Sequence, residues 1–191
     1  MTRIIAGIAG SRHLVGPASP TRPTSDRIRE SIFNRLDNWD VLEGAAVLDL
    51  YAGTGALALE AVSRGAATAV LVEKDAKAAA VCTKNAELIQ AALKAAKATA
   101  ETRVVNKAVE GFLATAGAQK FDVVFIDPPY EVSNAEVTTN LEHLHALLNE
   151  DAIVVLERSS RSGDVELPNG YELEDSKNYG DTTVFWLNRV D

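Results

Sequence analysis

One cysteine, Cys82, stands among 191 residues, so an internal disulfide and any cysteine-based zinc site are excluded. A lone thiol of this kind reads as a small apolar core side chain. The chain has no uninterrupted apolar run of about 18 residues, the length a membrane helix needs. Behind Arg3 the apolar stretch is only Ile4-Ile5-Ala6, too short for a signal sequence. These absences predict a cytoplasmic protein with no membrane partner, and no metal is expected. No repeat with a period of about 20 to 50 residues is visible, and the length suits one domain with a small appendage. Net positive charge is also missing, since the formal total is −8. That total hides an asymmetry: residues 1–36 carry six arginines against Asp26 and Glu30, while the other 155 carry 13 basic side chains against 25 acidic ones. An acidic body repels a polyanion, so a nucleic-acid partner would have to be met by the N-terminal segment.

What is present begins with Ala46-Val47-Leu48-Asp49-Leu50, a short apolar run suited to a buried parallel strand. Tyr51-Ala52-Gly53-Thr54-Gly55 breaks it with a glycine turn, and a run of helix formers follows from Ala56. Glycines 53 and 55 allow backbone conformations closed to other residues and a close approach by a ligand. The helix behind them would aim free N–H groups at a negatively charged ligand end. The next strand candidate, Ala69–Val72, runs into Glu73, 18 residues past Gly55. That is near the interval at which nucleotide folds place a carboxylate on ribose hydroxyls.

Residues 1–40 read as a basic N-terminal extension: a possible short strand at 3–7, a proline- and glycine-broken loop, and a helix from Thr24, capped by Thr24 or Ser25. Ile28, Ile32 and Leu36 share one face of that helix. Residues 41–191 read as an α/β domain. Its further strands are expected at 102–106, 121–126 and 152–157, and its helices at 56–64, 76–98, 108–116 and 135–148. Two more strand-like runs, 171–177 and 182–187, flank Asn178-Tyr179-Gly180-Asp181. They predict a mostly parallel sheet finished by a C-terminal antiparallel hairpin.

Phe121–Ile126 leads directly into Asp127-Pro128-Pro129-Tyr130. Two prolines forbid helix and stiffen this corner at the carboxyl end of a central strand, where open α/β sheets hold ligands. An exocyclic amine on a nucleobase is a poor nucleophile because its lone pair is delocalised into the ring. A carboxylate on Asp127 and the Pro128 carbonyl, accepting both N–H hydrogens, would turn that lone pair toward an electrophile, and Tyr130 offers a face for an extruded base.

Asp-Leu-Tyr-Ala-Gly-Thr-Gly followed by Asp-Pro-Pro-Tyr resembles the two signature motifs of S-adenosylmethionine-dependent amino-methyltransferases. Arg3-Ile4-Ile5-Ala6-Gly7 and the segment Thr21-Arg22-Pro23-Thr24-Ser25-Asp26-Arg27-Ile28-Arg29-Glu30 are similar to the RsmD-type bacterial family, which methylates N2 of a guanine in 16S ribosomal RNA. The resemblance runs over essentially the whole chain. It implies a Rossmann-like class I methyltransferase sheet, S-adenosyl-L-methionine as cofactor, and a monomer acting on 16S ribosomal RNA, free or within an assembling small subunit. It also implies that Asp49, Tyr51, Gly53 and Gly55 line the methionine half of the cofactor, that Glu73 holds its ribose, and that Lys74 and Ala108 lie by the adenine. Glu110 stands off register there. Asp127, Pro128, Pro129 and Tyr130 would receive the guanine, and Arg3, Arg12, Arg22, Arg27 and Arg29 would hold RNA.

Three alternatives belong beside that reading, one of them a non-catalytic RNA-binding module with a vestigial cofactor site, against which intact Gly53, Gly55, Glu73 and Asp127 argue. Gly53-Thr54-Gly55-Ala56-Leu57-Ala58 also satisfies the dinucleotide pattern of a nicotinamide-dependent oxidoreductase, although that leaves Asp-Pro-Pro-Tyr unexplained. The same amine chemistry could instead serve another RNA, or adenine or cytosine in DNA, for which the chain has no room for a separate recognition domain.

Overall fold

A computed structural model describes residues 2–16, 23–163 and 165–191. From Ala46 to Ile126 strands and helices alternate, because short apolar runs buried on both faces are separated by helix-forming segments. These are β1 (Ala46–Asp49), β2 (Thr68–Glu73), β3 (Glu101–Asn106) and β4 (Phe121–Ile126), with α2 (Ala56–Ser63), α3 (Ala76–Ala95) and α4 (Val109–Leu113) between them. α1 (Pro23–Asn38) precedes them. α5 (Asn134–His145), β5 (Leu148–Ser159), β6 (Tyr171–Asn178) and β7 (Thr182–Arg189) follow.

The seven strands form one sheet in the order β3-β2-β1-β4-β5-β7-β6. β1 to β5 are mutually parallel, and β7 enters antiparallel between β5 and β6. The chain steps outward from β1 in one direction through β2 and in the other through β4. The carboxyl ends of β1 and β4 therefore flank the crevice where such sheets bind ligands. One face carries a core built with Ile28, Ile32, Phe33 and Leu36 of α1, along with residues from α2 and α3. The other packs under α4 and α5 through Phe112, Val137, Leu141 and Leu144.

Several boundaries differ from those expected. α1 starts at Pro23 rather than behind a Thr24 or Ser25 cap, since proline's fixed φ suits the first helical position. α5 stops at His145, and β5 begins at Leu148, which pairs with Phe121 across a register shift in β4. α3 and α4 are shorter than their alanine-rich sequences suggested. The expected strand at 3–7 is a single bridge, Arg3 with His13, inside a ribbon closed by Ile4 N–H to Arg12 O (2.9 Å) and Leu14 N–H to Thr2 O (2.9 Å).

That ribbon is fastened to the domain rather than free of it. Buried Glu60 of α2 accepts the N–H groups of Ile5 (2.6 Å) and Ala6 (3.0 Å), and Ser63 Oγ accepts that of Ala9 (2.9 Å). Ile4 and Leu14 enter the same core as α1. Among the described residues, no helix is long and apolar enough to cross a membrane, and no group of His, Cys, Asp or Glu side chains is arranged to hold a metal. Cys82 is buried, and burial pushes its thiol up to about 12.

Candidate active site

The glycine turn divides its labour. Gly53 has φ +54, and a Cβ there would meet nothing within 4 Å, so its backbone stands open to the crevice. Gly55, at φ +82, turns inward instead: a Cβ would lie 2.9 Å from Leu71 Cδ2 and 3.0 Å from Cys82 Sγ. Expected to line a ligand, Gly55 serves the close packing of the turn on the core. Glu73, at the end of β2, accepts Gly53 N–H through Oε2 (2.9 Å) and Asp75 N–H through Oε1 (2.8 Å). These bonds fix the carboxylate beside the turn while leaving each oxygen further acceptor capacity.

Asp49, only 1% exposed, closes the turn from below, with Oδ2 accepting Ala58 N–H at 3.4 Å and Oδ1 left without a partner. Loss of solvent pushes its carboxyl up to about 7, helped by Asp127 and Glu73 and opposed chiefly by the backbone N–H of Ala58. The Tyr51 hydroxyl accepts from Asn140 Nδ2 (2.9 Å), and burial raises it to about 12.

At the end of β4, Asp127 lies at an exposed mouth, and Pro128 is buried beneath it. Desolvation on its protein side raises Asp127 to about 6, a smaller rise than that of Asp49, with Arg158 pulling against it. The Pro128 carbonyl accepts no backbone hydrogen bond among the described residues, and Val132 N–H closes the corner on Pro129 O at 3.0 Å. Tyr130 is 64% exposed beside it. Arg158 holds the corner from behind: Nη2 donates to Val132 O (2.8 Å) and to Asn134 Oδ1 (2.8 Å), where Nε also donates (3.1 Å).

A cavity of about 660 Å³ joins these parts. Gly53, Glu73, Lys74 and Ala108 line one end, and Asp127 to Tyr130 line the other, with Tyr51 between. Glu110, placed off register by the sequence, also lines the first end. A second cavity, about 250 Å³, opens beside the glycine turn and is lined by Asp49, Gly53, Asp127, Glu157 and Arg29.

Sequence reasoning missed Glu157. Register places it: Phe125 pairs with both Asp49 and Val155, so Asp49, Asp127 and Glu157 fall on one sheet face at the strand ends. Burial and then its neighbours Asp127 and Asp49 push Glu157 well above the ordinary carboxylate range. No local motif announces it, because only strand pairing brings it there. The arginines expected to hold RNA also separate. Arg3, Arg12 and Arg27 are exposed, Arg22 lies outside the described residues, and Arg29 is 5% exposed, its guanidinium bonded to Arg3 O of the ribbon.

A β3-β2-β1-β4-β5 sheet with a reversed β7, and one cavity lined by a glycine turn, the carboxylate of Glu73 and a proline-stiffened acidic corner, gives the class I, Rossmann-like methyltransferase fold. A magnesium protoporphyrin IX methyltransferase from Synechocystis, solved with bound S-adenosylmethionine, has this fold at TM-score 0.66 over 91% of this chain and 87% of its own, with 14% identity. The chain belongs to the RsmD family, whose model, described as conserved hypothetical protein 95, matches residues 2–188. It is 40% identical over 176 residues to the ribosomal RNA small subunit methyltransferase D of Escherichia coli K12, covering 92% of this chain and 83% of that one. A solved Escherichia coli structure, named as a candidate methyltransferase, yhhF, superposes at TM-score 0.81 with 34% identity, covering 98% of this chain and 97% of its own.

Proposed function

We propose that the protein transfers a methyl group from S-adenosyl-L-methionine to the N2 amine of a guanine in 16S ribosomal RNA. The observation that carries this is the single cavity in which Gly53 and Glu73 meet the Asp127–Tyr130 corner. Its volume lies within the range of about 300 to 1,000 Å³ typical of small-molecule sites. Membership of the family and the likeness to the Escherichia coli enzyme support small-subunit RNA as the substrate.

The residues fit the cofactor. Glu73, held by two backbone N–H groups, takes the ribose hydroxyls, and Lys74, Ala108 and Glu110 border the adenine end. Tyr51, Gly53 and Asp49 border the methionine end. Bound there, the cofactor supplies a methyl already activated by its sulfonium, so the protein's work is alignment and proton acceptance. Asp127 and the Pro128 carbonyl accept the two N–H hydrogens of the amine, and the Asp127 carboxylate is the group placed to take the proton released. Tyr130 stacks the extruded base, and Arg158 keeps the corner rigid. Residues 1–40 form the RNA-contacting part through Arg3, Arg12 and Arg27, with Arg22 beside them in sequence. Residues 41–191 carry the chemistry.

Incubation with labelled cofactor and unmethylated 16S RNA, 30S particles or DNA tests the proposal. One N2-methylguanine, located by mass spectrometry and absent from cells lacking the protein, is the expected product. Label on DNA, or on a base position other than guanine N2, would overturn it.

A further inference from the structure

The smaller cavity poses an electrostatic problem, because three carboxylates, Asp49, Asp127 and Glu157, border it. A cofactor carrying an amino-acid end brings both an ammonium, which those acids suit, and a carboxylate, which they repel. Among the described residues lining this cavity the only cation is Arg29.

Arg29 is 5% exposed and held by two bonds from one nitrogen: Nη2 donates to Arg3 O (2.5 Å) and to Asp26 Oδ1 (3.0 Å). Nε is buried without a partner. A guanidinium with an unused donor at the wall of a cavity is matched by a carboxylate. Across the cavity α2 begins behind Gly55. Ala56 and Leu57, both lining it, are the first two helical residues, and their N–H groups meet no acceptor among the described residues. Backbone and side-chain donors thus border the same cavity of about 250 Å³.

We propose that Arg29 and the N-terminus of α2 together seat the α-carboxylate of the cofactor's methionine end. This rests on the S-adenosylmethionine reading above. It gives Arg29 a cofactor role in place of an RNA one and explains why α1 is locked to the domain beside the turn. Burial draws Arg29 below its ordinary value, with Asp26 and Glu60 opposing, so an arriving anion compensates a desolvated cation.

The test compares S-adenosylmethionine with its decarboxylated analogue, which keeps the adenosyl, sulfonium and ammonium groups, by isothermal titration. The unaltered protein is expected to prefer the carboxylate-bearing form. Arg29→Gln should weaken that form by roughly 10- to 100-fold while leaving the analogue within a few fold, which also shows that the variant is folded. Arg29→Lys should fall between, and RNA affinity should be unmoved in both. Equal losses for both ligands, or no loss for either, would overturn the assignment, as would weakened RNA binding with cofactor preference intact. If the unaltered protein bound neither adenosyl compound, the methyltransferase reading would fall with it. If it bound both equally, only the carboxylate seat would fall.

Discussion

Asp127 sits where a short sequence signal and a tertiary position coincide. An apolar strand running into two prolines announces a rigid strand-end corner, and the fold sets that corner opposite the glycine turn. Asp127→Ala is expected to cut methyl transfer by roughly a hundred- to ten-thousand-fold with cofactor affinity held within a few fold. Single-turnover transfer beside titration would show whether the two separate. Because Asp127 must be ionised to accept the amine, and its carboxyl is raised to about 6, the transfer rate should fall as pH drops through that value. Stability carries the opposite sign. Asp49 is raised from 3.8 to about 7, so between those values the folded chain holds more protons than the unfolded one. The ligand-free protein should therefore lose stability as pH rises from about 4 toward 7, which melting curves across that range would check. Glu73 was legible from an 18-residue interval, whereas Glu157 and the inward turn of Arg29 were not, since both depend on which strands and helices become neighbours.

Among the elements, the strands were the most legible, because five of them are apolar runs bounded by turns or helices. The N-terminal ribbon was the least. Its bonds go to side chains 54 to 70 positions away, on Glu60, Ser63 and Asn85, and no local pattern reports such partners. Asn85 is wholly buried on α3. Its Oδ1 accepts Val15 N–H (2.7 Å), and its Nδ2 donates to Val15 O (2.8 Å) and Thr54 O (2.9 Å). Asn85→Ala strands these three backbone groups and should cost about 3 kcal/mol, a fall in melting temperature on the order of 10 °C for a chain of this size. Cofactor affinity should fall with it, since the turn loses its brace. An unchanged melting temperature would show that the ribbon contributes nothing to the fold.

For the molecule as a whole, the charge split remains the plainest message of the composition. Exposed Arg3, Arg12 and Arg27 belong to the one basic segment of an otherwise acidic protein. Neutralising all three should weaken RNA binding and flatten its dependence on salt by up to about three counterions, measured as the slope of affinity against ionic strength. An unaltered slope would confine the segment to a structural role. The mostly parallel sheet with its C-terminal antiparallel hairpin was legible; its strand order, which sets β7 between β5 and β6, was not, because pairing across a sheet leaves no periodic trace in the chain. The amide of Asn85 donates both to Val15 O of the ribbon and to Thr54 O of the glycine turn, so one side chain ties the two together. Reciprocity then demands that any factor by which a seated nucleoside tightens the grip on a polynucleotide be returned, in equal measure, by the polynucleotide to the nucleoside.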